Sequence, residues 1–409
     1  MRKTRVLGTP GRLGTPVSPP VGFLFSACTA GIKPSGRPDL ALALSPEGAS
    51  AAAMFTRNQV VAAPLMLARD YLRASGGRVH AVIVNAGNAN CATGKQGLKA
   101  AKLVCKKMAQ QCSVRETQVF PSSTGIIGVQ LPVEKITAAL PALISSATAD
   151  SEALDRFANA ILTTDTHEKI ASQTIAYNGV HATLVGVAKG AGMIHPDMAT
   201  MLVYLFTDVI ASARELQKAL NIAVDESFNN ISIDGDTSTN DTVLLLASGK
   251  SGLEHKSVRN EFQAALGKVC RSLAAQIIAD GEGVKHVVRL KIEQARSTAE
   301  ARQVASAIAG SPLVKTAWAG ADPNWGRMLA AAGYSGVTIY PERINIYLGD
   351  QQICRHGAAC PFDRDRAHQY MSEPAYEIRI VLGSGSTSLD FLSCDLTQEY
   401  VRFNAEYST

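Results

Sequence analysis

Aromatic side chains make up only 6% of the sequence and charged ones 18%. No apolar run approaches the roughly 20 residues that a bilayer-spanning helix needs, which excludes a helical membrane protein. No block of Lys or Arg stands out either. The 40 basic and 35 acidic side chains leave a net charge of +5 spread along the chain, which lends little support to nucleic-acid binding. The 8 cysteines form no CxxC pair and are too sparse in 409 residues for a disulfide scaffold. Cys354-Arg-His356-Gly-Ala-Ala-Cys360 comes nearest to a metal cluster, but it lacks a convincing fourth ligand, so no metal is expected. Residues 1–15 carry Arg2, Lys3, Arg5 and Arg12 without an acid, yet they lack the apolar core of a signal peptide. They read as a frayed tail on a protein of the reducing cytoplasm.

What is present is an ordinary globular composition, 46% hydrophobic, with 33 glycines that favour tight turns and close backbone packing. At about 150 residues per domain, the length suits two or three domains or one large α/β unit. Helical patterns occupy residues 95–111, 132–146 (opened by Pro132) and 151–162 (capped by Ser151). The clearest helix spans 258–279, where Phe262, Leu266, Val269, Leu273 and Ile277 recur at spacings of three and four and share one face. Strands are expected at 183–187, 201–207, 242–246, 287–292, 344–348 and 377–382. Few alternate cleanly, as expected for a sheet covered on both faces.

The segment Lys189-Gly-Ala-Gly192-Met-Ile-His195-Pro-Asp-Met-Ala199-Thr200-Met201 brings a glycine-rich turn and a proline loop to a threonine that opens an apolar strand. A phosphate loop is excluded, because GxxxxGK[ST] is absent and Gly190-Ala-Gly192 precedes no helix. One reading is a loop leading into a buried strand. The sharper reading is self-cleavage, in which the Thr200 hydroxyl attacks the carbonyl of the small Ala199. That would leave Thr200 with a free α-amine, titrating near about 7.7–8.0, as an internal base.

The same segment resembles the signature of the ornithine acetyltransferase (glutamate N-acetyltransferase) family of arginine biosynthesis. The likeness continues through Ala30-Gly-Ile-Lys33, Asn85-Ala-Gly-Asn88-Ala-Asn90, Ser123-Thr124-Gly125, Thr163-Thr164-Asp165, Asp234-Gly-Asp236 to Asp241, Gly281-Glu282-Gly283, Lys315-Thr-Ala, Asp322-Pro-Asn-Trp-Gly-Arg327 and Asn404-Ala-Glu-Tyr. The resemblance implies a precursor cut between Ala199 and Thr200 into an α chain (1–199) and a β chain (200–409), assembled as α2β2. It implies ping-pong transfer of acetyl from N-acetylornithine to glutamate through an acetyl-threonine, without metal or organic cofactor. Thr200 is the implied nucleophile, and Thr124 and Gly125 the implied oxyanion cradle. Thr163, Lys189, Thr200, Glu282, Asn404 and Thr409 are the implied substrate contacts. The stretch Gly281 to His286 and the ending Tyr407-Ser408-Thr409 depart from the usual family pattern. Whether acetyl-CoA also donates stays open.

The implied fold is α/β, an αββα-like sandwich of stacked mixed sheets flanked by helices, with a smaller C-terminal α/β domain; periodicity alone supports only α/β. His195 is read as loop packing, because an N-terminal nucleophile needs no histidine. Asp234, Asp236 and Asp241 are read as Asx turns and buried hydrogen bonds, since no bidentate acid completes a calcium loop. The segment 322–327 is read as scaffold. Two competitors remain: an N-terminal-nucleophile amidohydrolase or aminopeptidase, with water as acceptor, and an uncleaved, non-catalytic scaffold.

Overall fold

The computed structural model describes residues 17–195 and 201–406. The basic tail, the Ala199-Thr200 junction and Thr409 lie outside the described residues. The strands are β1 (Leu24–Cys28), β2 (Leu40–Phe55), β3 (Arg78–Asn88), β4 (Val119–Ile126), β5 (Lys169–Tyr177), β6 (Val180–Lys189), β7 (Leu202–Thr207), β8 (Ile231–Ser232), β9 (Thr242–Ala247), β10 (Val287–Ala295), β11 (Asn345–Leu348), β12 (Gln351–Arg355), β13 (Ala358–Ala359), β14 (Ala375–Val381) and β15 (Thr387–Cys394). The helices are α1 (Ala63–Ala74), α2 (Gly94–Cys112), α3 (Val133–Ser145), α4 (Ser151–Ala160), α5 (Ala213–Asp225), α6 (Arg259–Ala279), α7 (Thr298–Ala309), α8 (Pro312–Ala319), α9 (Trp325–Gly333), α10 (Arg364–Met371) and α11 (Gln398–Glu406).

Among the described residues these strands form two mixed sheets. The first has eight strands in the order β4-β3-β2-β9-β7-β6-β5, with β1 paired to β2. The second has seven, in the order β13-β12-β11-β14-β10-β15-β8. In the first sheet β7 lies parallel to β9 and β3 parallel to β4, and the other pairs are antiparallel. Apolar residues line both of its faces. Val203 and Leu205 of β7 join the core made with α5 and α6, while Tyr204 and Phe206 join the core made with α4. That two-sided burial is why the strand runs do not alternate.

The second sheet does alternate. Leu290, Ile292, Ile378 and Ile380 pack under α7 to α10 around Trp318. Lys291, Glu293 and Arg379 form ion pairs instead, Glu293 lying 3.1 Å from Lys291 and 3.4 Å from Arg379. The two sheets meet where Val287 and Cys394 of the second enter the α6 core, which also holds first-sheet residues such as Val203 and Leu205.

The expected strands and the long helix fall within a few residues of β6, β7, β9, β10, β11, β14 and α6. One cap is corrected: Asp150, not Ser151, accepts from the Ala153 N–H at 2.7 Å and starts α4, and Ser151 is its first helical residue. Cys354 is buried in the second core, and the Cys360 thiol donates to the Gln352 carbonyl at 3.4 Å.

Candidate active site

The site begins at strand ends. Parallel pairing of β3 with β4 sets Thr124 and Gly125 beside Ala86 and Gly87, just where the ladder slips at Asn88. Gly125 has φ of +129°, and a Cβ there would press into the backbone of Gly87 and Asn88, so only glycine fits. Asn240 ties this corner together, donating to the carbonyls of Ala89 (2.7 Å) and Ser123 (2.9 Å). On the neighbouring layer, Phe157 of α4 packs edge-on against Phe25, Tyr204 and Phe206. This fixes the loop that follows α4 and carries Thr163 and Asp165.

Between these elements opens a cavity of about 810 Å³, mouth included. Thr124, Gly125, Thr163, Lys189, Glu282 and Asn404 all line it, so the structure brings together every expected site residue that it describes. The Lys189 ammonium, 3% exposed at the end of β6, lies 3.4 Å from the Thr124 hydroxyl. Glu282 is half-buried: its N–H donates to the Ala191 carbonyl at 2.8 Å, its carboxylate lies against Gly192, and Asn404 of α11 donates to its Oε2 at 2.9 Å. Carboxylates outnumber cations on the wall, since Asp234, Asp236 and Glu282 face it with Lys189. Such a wall suits a substrate carrying both an ammonium and a carboxylate.

Three buried charges, Asp165, Lys169 and Asp280, stand behind Lys189. Asp165 Oδ1 accepts from Gly190 N–H (2.6 Å) and Lys169 Nζ (2.7 Å), and its Oδ2 accepts from Thr163 N–H (3.2 Å). Lys169 also donates to Asp280 at 2.5 Å, at the end of α6. Burial pushes Asp165 up, but Lys169, Lys189 and these hydrogen bonds outweigh it and hold the carboxyl well below the usual carboxylate range. Burial is also foremost at Lys189 and lowers it from its usual value. Asp165 opposes that shift, Lys169 adds to it, and Glu282 and Asp241 oppose it.

The acidic segment behaves as expected from Asx chemistry. Asp234 accepts from the N–H groups of Met193 (2.5 Å), Ile194 (2.9 Å) and Asp236 (3.2 Å), anchoring the glycine-rich loop. Asp241 accepts from the Met201 N–H at 2.9 Å, which fixes the chain where it enters β7. His195 lies 3.2 Å from the Ser232 hydroxyl. Asn324 caps α9 and Arg327 donates to the Leu313 carbonyl, so 322–327 holds helices together. Lys169, Asp280 and Tyr400 also belong to the site, and none stands in a motif that the sequence singles out. The spacing Asp165-x-x-x-Lys169 was the one signal in the chain, and nothing local linked it to position 280.

Residues 24–409 match the ArgJ family. The chain is 43% identical over 390 residues to the arginine biosynthesis bifunctional protein ArgJ of Chlorobaculum tepidum, covering 95% of this chain and 96% of that protein. It is 44% identical over 390 residues to the same-named protein of Thermus thermophilus, covering 95% and 99%. Among solved structures, ArgJ of Bacillus halodurans matches at 39% identity and a TM-score of 0.47, over 49% of this chain and 96% of that one. Ornithine acetyltransferase of Mycobacterium tuberculosis, complexed with ornithine, matches at 35% identity and a TM-score of 0.39, over 43% and 92%. With its cavity walled by the residues that the sequence singles out, and with whole-length relatives at this identity, the chain belongs to the ArgJ family.

Proposed function

We propose that this protein is a glutamate N-acetyltransferase that moves acetyl from N-acetylornithine to glutamate, with Thr200 as nucleophile. The observation that carries the reading is the convergence of Thr124, Gly125, Lys189 and Glu282 on one cavity. Met201, next in sequence to Thr200, is anchored beside that cavity's neighbour Asn240 through Asp241. The Thr200 hydroxyl attacks the acetyl carbonyl and gives its proton to the α-amine. The Thr124 hydroxyl and the Gly125 backbone stabilise the oxyanion. The C–N bond then breaks, ornithine takes the proton, and the acetyl-threonine ester passes its acetyl to the amine of glutamate. Glu282 receives a substrate ammonium and Lys189 a substrate carboxylate. Asn404, Thr163 and Thr409 complete the contacts.

The nucleophile is released by self-cleavage. The Thr200 hydroxyl adds to the Ala199 carbonyl, the acyl group shifts from nitrogen to oxygen, and water hydrolyses the ester. Fragments 1–199 and 200–409 would stay joined, because β7 and β9 from the second sit between β2 and β6 from the first. Assembly as α2β2 belongs to the same proposal. The names of the relatives, bifunctional proteins of arginine biosynthesis, support a second activity, which we take to be acetylation of glutamate from acetyl-CoA. The hydrolase alternative is not favoured by these relatives. Neither scheme draws on a metal or organic cofactor. No helix among the described residues is long and apolar enough to cross a membrane.

Denaturing electrophoresis and an ornithine-release assay test the reading together. Two fragments of similar length and glutamate-dependent release of ornithine from N-acetylornithine are expected, and Thr200→Ala should abolish both. A single full-length band without ornithine release, or acetyl transfer by the Thr200→Ala variant, would overturn it. Release of CoA from acetyl-CoA and glutamate alone tests the second activity.

A further inference from the structure

Two lysines share one buried carboxylate here, and they are held very differently. Lys169 is saturated: its three protons go to Asp165 (2.7 Å), Asp280 (2.5 Å) and the His167 carbonyl (3.3 Å), with the side chain fully buried. Lys189 stops 3.9 Å from Asp165 Oδ2, beyond hydrogen-bond reach, and its other contact among the described residues, Thr124, is a long 3.4 Å. Strand pairing sets Lys169 across from Ala188, so both ammonium groups approach Asp165 from adjacent strands. Lys169 and Gly190 grip Oδ1, while Oδ2, which accepts from the Thr163 N–H at 3.2 Å, lies 3.9 Å from Lys189. The four side chains sum to zero charge, so the cluster needs no further counter-ion. Among the described residues, the buried Lys189 ammonium has only long contacts and faces the cavity.

We propose that Lys169 is a positioning residue that keeps Lys189 open to a substrate carboxylate by holding Asp165 out of a closed ion pair with it. This rests on the reading of Lys189 as a carboxylate contact. Without Lys169, Asp165 would retain Lys189 as its remaining cationic partner, and in a dry site that pair would close. The incoming glutamate would then compete with an internal carboxylate for the same ammonium.

Steady-state kinetics of the full-length enzyme, with thermal melts of every variant, test the proposal. Lys169→Met should raise KM for glutamate about tenfold or more while kcat falls much less, as expected for loss of binding through a buried charge pair. Adding Asp165→Asn to Lys169→Met should bring KM most of the way back, because the competing carboxylate is gone. A purely structural role predicts the reverse, since the double variant would be the more damaged. Asp165→Asn alone, which keeps an acceptor for Gly190, should lower KM for glutamate; this reading holds even if Lys169→Met does not fold. No recovery in the double variant, or a higher KM in Asp165→Asn, overturns the proposal. Lys189→Met separates the layers. An unchanged KM there would remove the carboxylate contact itself, whereas a raised KM there, with no rescue of Lys169→Met by Asp165→Asn, would remove only the role of Lys169.

Discussion

Gly125 shows how one missing methyl group would build the proposed oxyanion cradle. Its φ of +129° lies where L side chains rarely go, and its α-carbon abuts Gly87 across the β3–β4 ladder. Gly125→Ala must therefore push the strand ends apart and move the Thr124 hydroxyl beside it. A fall in kcat of about 10²–10³ is expected, the loss typical of one oxyanion donor. Single-turnover release of ornithine would measure it, and a rate near that of the parent enzyme would exclude the cradle. Lys189 gives a pH prediction at the same scale. Burial lowers its pKa below the usual 10.5, against the pull of Asp165, Glu282 and Asp241 and with the push of Lys169. The ammonium is the form that binds a carboxylate. KM for glutamate should consequently rise with pH before 10.5 is reached, earlier than for an exposed lysine. A KM that stays flat from pH 7 to 10.5 would count against Lys189 as the carboxylate contact.

At the scale of elements, α11 lines the cavity through Tyr400 and Asn404 without burying a residue. It is held through polar contacts: the Thr397 hydroxyl donates to the Gly283 carbonyl at 2.7 Å, Tyr400 donates to Asp234 at 3.2 Å, and Asn404 donates to Glu282 at 2.9 Å. Removing the last two by Tyr400→Phe with Asn404→Ala should raise KM for N-acetylornithine about tenfold, at roughly 0.5–1.5 kcal/mol per hydrogen bond. The melting temperature should barely move, and a drop of many degrees would show α11 to be a structural strut instead. The lack of burial also explains why α11 left no periodic trace in the sequence, whereas α6, with Phe262, Leu266, Val269, Leu273 and Ile277 buried on one face, was legible residue by residue. Strand β2 was hidden for another reason. Its run of Ala and Ser has weak strand propensity, and its register shifts between Leu44 and Ala49, so neighbouring strands rather than its own pattern define it. The site divides in the same way. Thr124, Lys189 and Glu282 could be named from motifs, but the link of Asp165 and Lys169 to Asp280 exists only after α6 is laid across the first sheet.

For the whole molecule, that placement of α6 is the decisive step. Its core joins strands from both sides of residue 200 with α5, and it reaches Val287 and Cys394 of the second sheet. The helix lies close because β6 presents Gly186, where a Cβ would meet Leu273 (2.7 Å), Val269 (2.7 Å) and Leu205 (2.9 Å). The end of α6 supplies Asp280 and leads into Glu282, while the end of β6 supplies Lys189. Close packing at Gly186 and geometry at the cavity are thus set by the same pair of elements. Two substitutions separate the consequences. Leu273→Ala removes packing atoms without pushing α6 away, so it should cost about 2–5 kcal/mol in stability. Gly186→Ala drives a wedge under the helix. Overpacking of this kind costs about 1–3 kcal/mol, but the displaced α6 also carries Asp280 away from Lys169 and Glu282 away from Lys189. Gly186→Ala should therefore lose more transfer activity per kcal/mol of lost stability than Leu273→Ala. Chemical denaturation paired with kcat/KM on both variants measures that ratio, and equal ratios would show that the cavity does not depend on how closely α6 approaches the sheet.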